Sequence, residues 1–153
     1  SPDPADGRGS TPLHFAAAQD RTAVVERLAA GRADVQAAAA GQGGIRPLHA
    51  AAGMGHTSTL QALLVARAAP SATDAAQRQP VHVAADSGHL LVLAALAAVR
   101  ADLSARDAQG RLPAHAAALA GRPSVLRELL RLRADVTTVD AAGATPAAVA
   151  AAV

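Results

Sequence analysis

The chain of 153 residues contains no cysteine, tryptophan, tyrosine, lysine or asparagine, and phenylalanine occurs once. Without cysteine there are no disulfides and no thiolate-ligated metal, which fits a reducing, intracellular compartment, cytoplasmic or nuclear. With aromatics at 1% of residues, the stacking platforms that grip single-stranded nucleic acid are missing. The absence of lysine excludes a Gly-x-x-x-x-Gly-Lys phosphate loop. No serine stands in a Gly-x-Ser-x-Gly nucleophile elbow, so the chain offers no catalytic residues. The longest apolar run, Leu90 to Val99, is about half of a membrane span, so no membrane insertion is expected. The opening Ser-Pro-Asp-Pro-Ala-Asp has neither the basic nor the apolar region of a secretory signal. A chain that starts without methionine reads as a segment of a longer protein or complex. Charge of one sign is also scarce: fourteen arginines against twelve acids leave +2. The sequence pI of about 10.9 therefore reports missing buffers, since almost nothing titrates between histidine and arginine, and not a nucleic-acid-binding patch.

What is abundant is alanine, 45 of the 153 residues, in a chain that is 51% hydrophobic. A core of Leu, Val and Ala suits thin helices that approach closely. Internal similarity supplies the organisation. Thr11-Pro-Leu-His14, Arg46-Pro-Leu-His49, Gln79-Pro-Val-His82 and Leu112-Pro-Ala-His115 recur with their histidines 35, 33 and 33 residues apart, and Thr145-Pro146-Ala147-Ala148 follows in register. Each histidine is followed by an Ala pair (Ala16-Ala17, Ala51-Ala52, Ala84-Ala85, Ala117-Ala118), then by Asp20, Gly55, Gly88 or Gly121, then by an aliphatic stripe. Each unit closes on Arg-Ala-Asp or Arg-Ala-Ala at Arg32, Arg67, Arg100 and Arg133.

These pieces dictate a helix–turn–helix unit. Proline at the first helical position is preset for helix and needs no N–H partner. Thr11 and Thr145 are good N-caps, whereas Arg46, Gln79 and Leu112 forfeit about 1 kcal/mol of capping each. Gly55, Gly88 and Gly121 permit a left-handed turn between the helices, and Asp20 does the same less well. Pro123 again stands at a permitted helix start. The stripe has three- and four-residue spacing, one buried face. So small a unit buries its stripe only by stacking on a neighbour.

These residues resemble the ankyrin repeat, whose pattern runs approximately Asp-x-x-Gly-x-Thr-Pro-Leu-His-x-Ala-Ala, Gly-His, an aliphatic stripe and Gly-Ala-Asp. The resemblance covers about Asp6 to Val153. It implies an all-α solenoid of stacked helix pairs with projecting β-hairpin loops. The expected divisions are a linker (1–5), repeats at 6–37, 38–72, 73–105 and 106–138, and a partial fifth repeat at 139–153. The loop from Ala37 to Gly44 is two residues longer than its counterparts, which predicts a distorted hairpin. The fifth repeat has Ala148 in place of histidine and lacks a second helix, leaving an apolar face to be covered by more chain or a partner; Phe15 has the matching position near the other end.

The resemblance further implies a non-catalytic scaffold, adaptor or targeting module that binds another protein on the face made by hairpin tips and first helices. Carried over by position, that face comprises Arg8, Ser10, Gln19, Ile45, Met54, Arg78, Asp86, Ser87, Arg111 and Leu119, with Ile45, Met54, Arg78, Asp86 and Arg111 at its middle. No cofactor and no metal are expected. All six histidines fall at repeat positions, and a row of equivalent residues does not converge on one ion; their role is to brace neighbouring backbone. Arg32, Arg67, Arg100 and Arg133 stand where the family generally has glycine, and form either a candidate anion ladder or local pairs with Asp34, Asp102 and Asp135. Two other functions compete. One is a structural subunit of a large assembly, its ends covered by neighbours. The other is an inhibitor like the cyclin-dependent kinase inhibitors, which Arg106–Pro113 resembles. Those have a shortened first helix in their second repeat, where Pro47 to Gly53 reads as regular.

Overall fold

A proline opens every first helix, and a left-handed residue closes every second one. Residues 4–152 are described in the computed structural model; the expected linker at 1–5 therefore falls largely outside the described residues, as does Val153. Among the described residues there are nine α-helices: α1 (Pro12–Ala18), α2 (Thr22–Ala30), α3 (Pro47–Met54), α4 (Thr57–Val65), α5 (Pro80–Ser87), α6 (Leu90–Ala98), α7 (Pro113–Leu119), α8 (Pro123–Arg131) and α9 (Pro146–Ala151). The odd helices stack on one another in one row, α1 on α3, α3 on α5, α5 on α7 and α7 on α9, and the even helices in a second row behind them. This is an all-α solenoid. No described helix is long and apolar enough to cross a membrane.

The core runs the length of the stack between the two rows. Leu13, Leu48, Val81 and Ala114 occupy one register position of the odd helices, and Leu63, Leu96 and Leu129 one of the even helices; all are buried. The Ala pairs are buried throughout, which lets the odd helices approach with little side chain between them. Glycine matters most at Gly53 and Gly55. A Cβ on Gly53 would lie 2.9 Å from Val83 Cγ1 of the next repeat, and one on Gly55, whose φ is +77°, would lie 2.6 Å from His89 Nδ1.

Asp20 adopts φ +55°, the left-handed value taken by glycine in the later repeats. Arg32, Arg67, Arg100 and Arg133 do the same behind the even helices, at φ +64°, +67°, +58° and +59°. That conformation costs a side chain about 1–2 kcal/mol.

The hairpins are narrower than the resemblance implied. Each is closed by one cross-rung, Asp6 N–H to Ser10 O, Ala39 to Ile45, Asp74 to Arg78, Asp107 to Arg111 and Asp140 to Ala144, with a tighter turn bond inside it, such as Gly9 N–H to Asp6 O. One rung is too few for a strand, and the described residues hold a single isolated bridge, Ala39 with Ile45. Bonds between consecutive tips tie the hairpins instead: Gly41 N–H to Arg8 O, Ala75 to Gly43 O, Ala108 to Ala76 O and Ala141 to Gln109 O. The long loop absorbs its two extra residues in a 3-10 turn, Ala40–Gln42, followed by two left-handed glycines, Gly43 and Gly44.

Leu93 and Leu91 test this layering, being close neighbours on α6 with opposite environments. Leu93 is buried and Leu91 is 74% exposed. Leu93→Ala should lower unfolding free energy by about 3 kcal/mol, and Leu91→Ala by no more than about 0.5 kcal/mol, as read from urea midpoints. Equal losses would contradict the two-row core.

Candidate partner-binding face

The four first-helix histidines are all fixed at Nε2, and three of them at Nδ1 as well. The Nε2–H of His14 donates to Ile45 O (2.9 Å), that of His49 to Arg78 O (2.9 Å), that of His82 to Arg111 O (3.1 Å) and that of His115 to Ala144 O (2.9 Å). A carbonyl can only accept, so these nitrogens carry the proton. Nδ1 then accepts the backbone N–H three residues back: Thr11 at 3.1 Å, Gln79 at 3.2 Å and Leu112 at 3.0 Å. All four rings thus hold the next hairpin, and those of His14, His82 and His115 also cap their own helices. This recovers one orphan N–H for Gln79 and Leu112, positions that looked poorly capped. Thr145, with Ala148 in place of a histidine, caps in the ordinary direction, its hydroxyl accepting from Ala148 N–H at 3.2 Å. In the second repeat the bracket is incomplete, because buried His49 Nδ1 has no partner. Its N-cap Arg46 has φ −108°, against −81° to −87° at the other three histidine-capped helices. This repeat is the one entered by the long loop.

A second bracket runs along the helix turns. His56 Nε2–H donates to Ala18 O at 3.2 Å and His89 Nε2–H to Gly53 O at 3.0 Å. In the fourth repeat Arg122 takes over, its Nε–H donating to Asp86 O at 3.1 Å. Gly121-Arg122 stands in register with Gly55-His56 and Gly88-His89, and that alignment was the available signal. Among the described residues no group of three metal-ligating side chains comes together.

The hairpin tips carry a fixed pair of arginines. Buried Asp74 accepts Arg78 Nε–H at 2.9 Å and pairs with its Nη2 at 2.8 Å, and Asp107 holds Arg111 with the same two distances. Each carboxylate also accepts backbone N–H bonds within its own tip. Burial pushes the Asp107 carboxyl up, but the Arg111 backbone and guanidinium and the Gln109 N–H outweigh it and hold it below the usual range. Both guanidiniums remain partly exposed, so they are oriented and still offer donors.

Two hollows open beside them. One, of about 280 Å³, is lined by Ile45, Met54, Gly53, Val83 and Arg78. The other, of about 160 Å³, is lined by Arg78, Asp86, Asp107, Arg111 and Leu119. Arg78 belongs to both. Ile45, Met54, Arg78, Asp86, Arg111 and Leu119 therefore lie together on one face. The remaining expected residues do not join them. Arg8 and Gln19 are exposed in the first repeat, outside both hollows. Ser87 lines a separate hollow with Arg122 and Pro123. Ser10 is only 2% exposed, its hydroxyl taken up by Gln42 Nε2 at 2.9 Å. It braces adjacent hairpins and is removed from the face.

On the opposite row, an apolar hollow of about 460 Å³ is lined by Gln61, Leu64, Val65, Ala95, Ala98 and Val99. The stripe reading treated α4 and α6 as core only and missed it. All four ladder arginines, Arg32, Arg67, Arg100 and Arg133, are exposed. Of the expected local partners, Asp34 accepts Gln36 N–H, Asp102 turns to Ser104 N–H, and Asp135 to the N–H and hydroxyl groups of Thr137 and Thr138. Among the described residues no ion pair joins any of the four to a carboxylate.

A family model described as "Ankyrin repeats (3 copies)" matches residues 1–74 and 48–140. No curated protein matches the sequence.

The brackets make stability acid-sensitive. Burial holds the rings of His14, His49 and His82 below the ordinary histidine range, against the pull of their carbonyl partners. The unfolded chain therefore takes up protons first. Stability is complete above about pH 6.5 and falls as pH drops below it. A further loss follows below about pH 4, where Asp6 and Asp140 are held down by backbone N–H bonds, chiefly from Ser10 and Ala144. Urea midpoints should decline from pH 7 to pH 5, less steeply in His82→Ala; a flat or rising midpoint would contradict the neutral-ring assignment.

Proposed function

Because the chain belongs to the ankyrin-repeat family, whose repeats are generally protein–protein interaction modules, we propose that it is a non-catalytic binding module, the scaffold, adaptor or targeting segment of a larger protein. Its partner is another protein, held on the hairpin and odd-helix face. The observation that carries this reading is the side-by-side arrangement of an apolar hollow under Met54 and two oriented, partly exposed guanidiniums at Arg78 and Arg111. Met54 is 57% exposed and Leu119 43%, and exposed Met and Arg beside aliphatic side chains are the composition of interface centres. The fit is to a partner segment with an apolar anchor flanked by acidic groups. The kinase-inhibitor alternative loses support from α3, whose eight residues match α5 and exceed α1 and α7.

The assembly-subunit reading keeps one supporting observation. Phe15 and Val24 are about half exposed, while Val92 and Val125, the counterparts of Val24, are buried by the preceding repeat. Sedimentation across a concentration series separates the readings, since an adaptor stays monomeric and an assembly subunit associates through this end.

A photo-crosslinking residue at position 54 should capture a partner from the native host, whereas one at the exposed position 91 should not. Met54→Glu or Arg111→Glu should weaken that complex by about tenfold or more with the helical circular dichroism unchanged. Capture at both positions alike, or binding indifferent to both substitutions, would refute the assigned face.

A further inference from the structure

Seven positions hold the same residue in all four full repeats: the helix-opening proline, the bracketing histidine, the Ala pair, the leucine of Leu28, Leu63, Leu96 and Leu129, the arginine of Arg32, Arg67, Arg100 and Arg133, and the alanine after it. Six have a visible structural role in helix initiation, hydrogen bonding or close packing. The arginine has none. It is exposed in every repeat, adopts a left-handed backbone that glycine would take without strain, and forms no ion pair among the described residues. A cation behind a helix C-terminus does favour the helix dipole. Arg27 and Arg131, in the last turns of α2 and α8, already supply that without strain in the first and fourth repeats, so the dipole does not account for the arginine's recurrence in all four, although α4 and α6 have no other cation in their last turns.

We propose that Arg32, Arg67, Arg100 and Arg133 are the rungs of a second binding edge, which takes an extended acidic peptide with carboxylates at every third residue. Neighbouring even helices pack about 8–10 Å apart, and an extended chain advances about 3.3 Å per residue, so three residues match one rung. Each guanidinium presents a planar fork suited to a carboxylate. The two middle rungs, Arg67 and Arg100, follow within two residues of Val65 and Val99, which line the apolar hollow together with Ala98. It seats an apolar side chain from between the two central acids of the peptide. A dense polyphosphate is a worse fit. Asp34, Asp102 and Asp135 stand two residues from three of the rungs, the net charge is only +2, and the single aromatic, Phe15, is on α1. The edge shares no residue with the hairpin face, so either assignment stands or falls without the other.

The test is fluorescence anisotropy with a labelled peptide of roughly ten residues, the span of four rungs, with Glu at every third position and Leu between the central pair. The native chain should bind it, more weakly as salt is added. The quadruple variant R32G/R67G/R100G/R133G, relieved of its backbone strain, should melt no lower and bind about tenfold more weakly or worse. Val65→Glu, at a position 85% exposed, keeps the fold and sets a carboxylate against the peptide; it should also weaken binding, whatever the fate of the quadruple variant. No binding by the native chain, native affinity in either variant, or equal affinity for a peptide with the same glutamates in one block would overturn the proposal. Tighter binding of a single-stranded oligonucleotide of similar length would overturn it in favour of a nucleic-acid edge.

Discussion

An imidazole that donates from Nε2 to the next repeat and accepts at Nδ1 from its own helix start is the interaction on which the remaining geometry depends. It sets the angle between a first helix and the following hairpin, and so fixes where Arg78 and Arg111 stand. It works only in the neutral ring: protonating Nδ1 would place a donor against a donor inside a buried site. Burial and hydrogen bonding therefore reinforce one tautomer, and the helices need no conventional capping residue while it persists.

Around that bracket the packing is permissive in a useful way. The buried positions are filled by Ala, Leu and Val in a fixed register, so the outer faces are free to differ from repeat to repeat. That is why Met54, Asp86 and Leu119 can occupy equivalent stretches of successive first helices without disturbing the stack. It is also why a recurrent exposed arginine stands out, since nothing in the packing holds it in place.

Much of this was legible in the residues. Pro and His at fixed spacing located the first helices, the glycines located the turns, and the left-handed arginines followed from standing in glycine's place. What was not legible depended on atoms brought together across repeats. Ser10 looked like a surface residue at a hairpin tip until Gln42 of the next hairpin covered it. Arg122 does the work of a histidine because its Nε reaches the same carbonyl, an equivalence of reach that residue type conceals. The orphaned Nδ1 of His49 depends on a small rotation at Arg46, behind an insertion whose length could be counted but whose path could not. The hollow between α4 and α6 arises because Ala95 and Ala98 are too small to fill the space beside Leu64 and Val65.

The bracket also has a direction. In each instance the ring belongs to the earlier repeat and the carbonyl to the later one. An unused carbonyl can be left to water, but a buried ring without its acceptor is stranded, so through these rings each repeat depends on its successor, while His56, His89 and Arg122 tie each repeat back to its predecessor. The short segment carrying α9 settles this for His115 through Ala144 and, having Ala148 where a ring would stand, extends no such bond of its own. Each junction is therefore wired from both sides, and a unit lost from either end strands a donor in the neighbour it leaves, His56 at the first end and His115 at the last.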